Sequence, residues 1–250
     1  MKELKLRGFV TPADCGGNVA KALQLAKALE LNKVVLTGDV SWAEPLVLTS
    51  GMYLVLENCH LQADLVTPME ENFSFRQKFI TIEGENSSIT GNIHIFNTHH
   101  LNISGLKIAG NLTCEYTLWG NIHHLEFTQG GLSLGRGCGN FIVQEIDSAV
   151  PAKIDGSISC GKIIPGTKPD LNSIVFCDSR FTSTEPAVQL GAAEDCGIIN
   201  IQVDHITAEN TAVLVGKGLE QSPYLFQNLT FTHLSTPVAY QNPVLHVYEK

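Results

Sequence analysis

A short phrase keeps returning along this chain: an Asn, with apolar residues one, three and six places later. It reads Asn102-Ile103-Ser104-Gly105-Leu106-Lys107-Ile108, then Asn121-Ile122-His123-His124-Leu125-Glu126-Phe127, then Asn140-Phe141-Ile142-Val143-Gln144-Glu145-Ile146. The closest pair is Asn200-Ile201-Gln202-Val203-Asp204-His205-Ile206 against Asn228-Leu229-Thr230-Phe231-Thr232-His233-Leu234. A strand-forming phrase that repeats after roughly 20 to 30 residues marks a solenoid, because one repeat cannot bury its apolar face alone.

Aligned on Asn102, Asn121, Asn140, Ser173 (a departure), Asn200 and Asn228, the phrases give three inward columns. One place on stand Ile103, Ile122, Phe141, Ile174, Ile201 and Leu229; three on, Gly105, His124, Val143, Phe176, Val203 and Phe231. Six on stand Ile108, Phe127, Ile146, Ser179, Ile206 and Leu234. Each side chain is expected to stack on its counterpart one strand spacing, about 4.8 Å, away. Gly105, His124 and Ser179 are the exceptions, and His124 is read as an inward histidine with a hydrogen-bond partner. The leading Asn residues are expected to form a turn ladder, since Asn amides bond up and down a stack and Asn tolerates left-handed backbone.

Before the phrases, Gly17 to Leu31 predicts a helix capped by Asn18, with Val19, Ala22, Leu23, Ala26 and Leu29 on one face. Strands follow from Lys33 onward, and Thr67–Gln77 and Pro165–Pro169 read as excursion loops. With no linker in sight, residues 1–250 are expected to form one domain, helix 17–31 followed by coils over 32–250. Pro243 to Tyr248 reads as a last strand, its open edge shielded by a folded-back loop or by a second copy of the chain.

The helix, the strand ending at Gly38, Gly51-Met52-Tyr53-Leu54-Val55-Leu56, and Ile80-Thr81-Ile82-Glu83-Gly84 before Ile89-Thr90-Gly91 resemble the opening of the pectin-lyase-like superfamily. The order is most similar to the polygalacturonase type of glycoside hydrolase, over nearly the whole chain. The resemblance implies an all-β fold, a single-stranded right-handed parallel β-helix with an N-terminal capping α-helix. It implies a carbohydrate-active protein, a glycoside hydrolase or polysaccharide lyase acting on an acidic or neutral polysaccharide. The family's Asn-Thr-Asp, Asp-Asp, Gly-His-Gly and Arg-Ile-Lys signatures are all absent here. Function resides in the site and not in the scaffold, so a non-catalytic binding or assembly module is the alternative.

One column suggests chemistry. Five places after each phrase start stand Lys107, Glu126, Glu145, Asp178, His205 and His233, all ionisable and expected to point outward as one ridge. Carboxylates on neighbouring coils would have roughly the 5 Å separation of a retaining glycosidase pair. Glu145 and Asp178 are therefore the acid–base candidates, with His205 in support. Lys107, Glu126, Arg180 and His233 are the substrate-binding candidates, with Trp42, Tyr53, Tyr116 and Trp119 as scattered aromatics. The doublets His99-His100 and His123-His124 are not expected to chelate, because adjacent strand residues point oppositely. No metal and no cofactor is expected.

A net charge of −9 excludes a nucleic-acid partner, which needs a basic face. No apolar run approaches a membrane span. The seven cysteines lack Cys-x-x-Cys spacing and read as reduced, small apolar residues. With no signal sequence at Met1–Arg7, a cytoplasmic location is expected.

Overall fold

The computed structural model describes residues 2–69, 76–164, 166–216, 225–241 and 248–249. Long strands such as Thr98–Ala109, Leu118–Gln129 and Gly139–Ser148 alternate along the chain with short ones such as Ile93–Phe96, Leu112–Glu115 and Leu132–Leu134. The long strands form a ten-stranded sheet and the short ones a nine-stranded sheet, each ordered as in the sequence. Every pairing between named strands of these sheets is parallel. A chain that places one strand in each sheet per turn, and never reverses, is a parallel β-helix. That architecture is as expected.

The N-terminal helix occupies Val19–Ala28, shorter than the span predicted. Its start is set by Asn18, whose side chain accepts the Lys21 N–H at 2.8 Å, and by Gly17 in the left-handed region before it. Its end is set by Glu30 and Asn32, both with positive φ. Val19, Ala22, Leu23 and Ala26 are buried in the same cluster as Val34, Leu36 and Leu46 of the first coil. The helix thereby covers apolar side chains that no preceding coil could cover. A six-residue helix, Lys2–Arg7, precedes it.

The vertical alignment differs from the one the phrases suggested. Asn102 lies beside Asn121, but Asn121 lies beside Ile142 and not Asn140. From Phe141 onward the alignment holds as expected: Phe141, Ile174, Ile201 and Leu229 are stacked neighbours. The text therefore slips by two places between the early and late coils. Two is the one small slip that keeps inward residues inward, because side chains alternate along a strand. Ile103 and Ile122 thus continue into Val143, Phe176, Val203 and Phe231, a column of side chains that are all buried. Gly105 and His124 do not belong to it. The reading of His124 as an inward residue is wrong: its side chain is exposed.

The Asn ladder exists in pieces. Asn121 donates to Asn102 at 3.2 Å, while Asn228 donates to Asn200 and Asn200 to Asn172, both at 2.9 Å. Asn172, not Ser173, provides the last acceptor. A further rung, Asn111 to Asn92, lies by the short strands.

The excursion after Ser148 adds the strand Ala152–Asp155 and a loop that returns at Leu171. Pro165, in the predicted Pro165–Pro169 excursion, lies outside the described residues, as do 70–75 of Thr67–Gln77 and Pro243–Val247 of the last strand. Tyr248–Glu249 pairs in parallel with Thr230 and Phe231. The loop is held by the buried Glu115, which accepts the Cys160 N–H at 2.7 Å and meets His94 Nε2 at 2.9 Å. The seven cysteines are free, and four of them are buried.

Ser179, the remaining exception, is buried because its hydroxyl serves the backbone: it donates to the Cys177 carbonyl at 2.7 Å and accepts the Ile146 N–H at 3.0 Å. Ser87 has the same role in that column, three coils before Ile146, where it accepts the Cys59 N–H at 2.9 Å. Removing such a hydroxyl strands a buried donor. Ser179→Ala is expected to lower unfolding free energy by about 1–3 kcal/mol, whereas Thr207→Ala on the exposed face stays within about 0.5 kcal/mol. Urea unfolding of both variants checks this, and equal effects would refute the role given to Ser179.

Candidate functional site

Six successive coils, from the Thr98–Ala109 strand onward, each carry two single residues in the left-handed region, five positions apart: His100 with Gly105, Trp119 with His124, Asn140 with Glu145, Ser173 with Asp178, Asn200 with His205, and Asn228 with His233. Stacked in register, they form two corner columns along the large sheet. A left-handed residue costs roughly 1–2 kcal/mol unless it is Gly or, less so, Asn or Asp. Repeating that cost on coil after coil, with His and Glu among the residues, makes the corners the most constrained feature of the surface.

The corners also break the alternation of side chains. At each one a residue and its predecessor emerge on the same side. His99 and His100 bring their Nδ1 atoms to 2.7 Å, and His123 and His124 do the same. The expectation that adjacent histidines point oppositely therefore fails here, because it assumes continuous β backbone and His100 and His124 are left-handed. Asp204 and His205 are a third such pair, with 3.0 Å between Oδ2 and Nδ1.

The expected ridge divides into two. Lys107 and Glu126 are stacked neighbours joined by a 2.7 Å ion pair, and their column continues through Asp147 and Arg180 to Thr207. Glu145, Asp178, His205 and His233 belong instead to the second corner column, which begins with Asn58, Asn86, Gly105 and His124. The two-place slip is the cause. All seven predicted residues remain on the outside of the large sheet, in columns two residues apart.

Along the second corner, side chains on neighbouring coils meet at two places, His124 with Glu145 and His205 with His233. His124 Nε2 meets Glu145 Oε2 at 2.5 Å. Asp178 follows on the next coil, beside Cys177, whose thiol is pushed up to about 12 by burial, by its hydrogen bond to Asp178, and by the charges of Asp178, Asp204 and Glu145. Carboxylates from three consecutive coils therefore converge on one thiol. On the last two coils Asp204 is the centre: Thr232 donates to it at 2.6 Å, and Nδ1 of His233 and of His205 lie at 2.8 and 3.0 Å. Partial burial pushes the Asp204 carboxyl upward, but the bonds from Thr232, His233 and His205 outweigh it and hold it at about 2. The two imidazoles stack with centroids 4.3 Å apart. Asp204 was missed in the sequence because it stands one place before the ionisable column. The signal available was Asp204-His205 set over Thr232-His233.

The first corner carries rings. Phe79, His100 and Trp119 stack on successive coils, with centroid separations of 4.8 and 5.4 Å and interplanar angles of 22° and 17°. Phe79 is 59% exposed and Trp119 48%. The next residue in that column is Asn140, too short to cover the indole. Of the other aromatics proposed, Tyr116 is buried against Phe96, Trp42 packs on the core, and the Tyr53 hydroxyl donates to Glu83, which helps raise it to about 12. Arg136 is occupied, its Nε on the Gly156 carbonyl and its Nη2 on Asp195. Shallow depressions lie at both ends of the second corner, one lined by Asn86, Lys107, His124 and Glu126 and the other by His233, Thr236 and Val238. Glu145 and Asp178 are exposed on the stretch between.

No family model matches the sequence, and no curated protein does so either. Among solved structures, the chain is similar to the endo-xylogalacturonan hydrolase of Aspergillus tubingensis, with a TM-score of 0.46 and 11% identity over 97% of this chain and 98% of that one. It is also similar to the Streptococcus pneumoniae surface protein and adhesin PfbA, with a TM-score of 0.39 and 9% identity over 93% and 99%. A GH87 alpha-1,3-glucanase catalytic domain solved with nigerose aligns with a TM-score of 0.40 and 9% identity over 93% and 66%.

The convergence on Cys177 has a chemical readout. A thiol held at about 12 is almost wholly protonated at neutral pH and alkylates slowly. Asp178→Asn removes the adjacent negative charge while leaving only a neutral amide oxygen to accept, so alkylation of Cys177 by iodoacetamide at pH 8 is expected to quicken by roughly tenfold per pKa unit recovered. Peptide mass mapping follows Cys177 specifically. An unchanged or slower rate would show that the carboxylates do not control it.

Proposed function

We propose that this pectin-lyase-like β-helix is a carbohydrate-active protein that receives a glycan on the outer face of its large sheet, between the two corner columns. The carrying observation is the exposed three-ring stack Phe79–His100–Trp119 at one corner, with a run of His124, Glu145, Asp178, His205 and His233 that starts at the other corner on the Trp119 coil and continues over the next four coils. Sugars present C–H faces and hydroxyl edges at once. A ring wall takes the first, through the apolar surface that aromatic side chains provide, and charged or amide groups take the second. The strip between the corners is lined by Asn102, Asn121 and Gln144, polar groups at half-buried positions, and by the exposed Ile142 stacked beside Asn121. Its width is about 16 Å, from strand rise over five residues.

In the catalytic form of this reading, Glu145 and Asp178 act as the acid–base pair and His205 supports them. They stand on adjacent coils, about 4.8 Å apart in backbone, near the roughly 5 Å separation of retaining glycosidases. His233, in the same corner column, and Lys107, Glu126 and Arg180, in the column two residues beyond it, would contact the sugar from that side. A non-catalytic glycan-binding role is the second reading. It draws support from the Glu145 carboxylate being engaged by His124 and from the open surface on which both acids stand.

Binding is measured by calorimetry against acidic and neutral oligosaccharides, and turnover by release of reducing ends or unsaturated products. Trp119→Ala is expected to weaken binding by about tenfold or more. In the catalytic form, Glu145→Gln and Asp178→Asn each lower turnover by at least about 100-fold with binding retained. Binding without turnover in the native protein selects the second reading. Binding indifferent to Trp119 would overturn the assignment of the face.

A further inference from the structure

We propose that Asp204, His205 and His233 form a binding site for a divalent transition-metal ion of the Zn2+ type. The inference is independent of the glycan reading. One donor atom from each residue lies within 4.8 Å of the other two. The approach is closer where it matters: Asp204 Oδ1 to His233 Nδ1 is 2.8 Å, and Asp204 Oδ2 to His205 Nδ1 is 3.0 Å. Two ligands on one tetrahedral zinc lie roughly 3.3 Å apart, given metal–ligand bonds of about 2.0–2.2 Å. An ion could therefore enter by replacing the two hydrogen bonds, with the rings adjusting to bring all three donors onto it.

The backbone builds the arrangement. Left-handed residues at His205 and His233 turn both imidazoles outward on consecutive coils, and the same break in alternation brings Asp204 alongside His205. Thr232 donates to Asp204 Oδ1, the kind of outer-shell bond that orients a ligating carboxylate. The two rings stack with centroids 4.3 Å apart on consecutive coils, so both reach the same carboxylate.

Ligand chemistry selects the ion. Two imidazole nitrogens and one carboxylate suit zinc, cobalt, nickel or copper. Calcium needs six to eight oxygens, and magnesium an octahedron of them, which a carboxylate and one hydroxyl do not supply. Three protein ligands leave at least one position open to water or a further group.

The test uses the full chain, freed of metal with a chelator and titrated calorimetrically with ZnCl2, CoCl2 and CaCl2. Zinc and cobalt are expected to bind, cobalt giving visible absorption bands, and calcium to give no heat. His205→Ala and His233→Ala each weaken binding at least about tenfold, or remove one equivalent where the native protein binds several. Both rings are more than half exposed, so the variants keep the native circular-dichroism spectrum. His124→Ala, which removes an exposed histidine from the same column but outside the cluster, is expected to change nothing. Absence of zinc binding, indifference to both substitutions, or an equal loss in His124→Ala would each overturn the proposal.

Discussion

Hydrogen bonding between parallel coils in register is the constraint on which the other features rest. A coil of this protein has no local partner for most of its strand N–H and C=O groups; they are satisfied one coil up and one coil down. Because parallel strands pair like position with like, the sequence is forced to repeat in columns. Apolar columns fill the interior, from Ile82 through Ile103, Ile122 and Val143 to Phe231. Where a column cannot remain apolar, as at Ser87 and Ser179, the buried hydroxyl joins the hydrogen-bond ladder. The same stacking exposes two ends, and at the first the amphipathic helix supplies the missing layer.

The corners carry the second consequence. Closing a coil requires the strand to bend, and single left-handed residues do this at a local energetic cost that the ladder on either side offsets. The bend brings consecutive side chains to one side and so concentrates functional groups beyond what a regular strand allows. His99 with His100, His123 with His124 and Asp204 with His205 are products of that geometry. One structural device thus generates the ring stack at one corner and the carboxylate–imidazole run at the other.

Charge in the run is locally organised. Lys107 is matched by Glu126, His124 by Glu145, and Asp204 by two imidazoles and a hydroxyl. Asp178 and Glu145, with Asp204, instead raise the thiol of Cys177, which makes that cysteine a reporter for the surface around it.

The solenoid, its inward residues and the outward ionisable groups were legible in the sequence because each is set by period and polarity. Ile201, Val203 and Ile206 announce an inward face wherever the strand lies. The helix was legible from Asn18 and its apolar stripe, although its ends drew in to Val19 and Ala28, inside the left-handed Gly17 and Glu30. Vertical neighbours were not legible across Asn121 to Asn140, since a slip of two places preserves the apolar pattern and leaves no trace in it. Nor was the outward turn of His124, or the meeting of Asp204 with His205 and His233. Those depend on which residues take a positive φ, and that choice is made by the coils above and below through hydrogen-bond register, not by the residue itself.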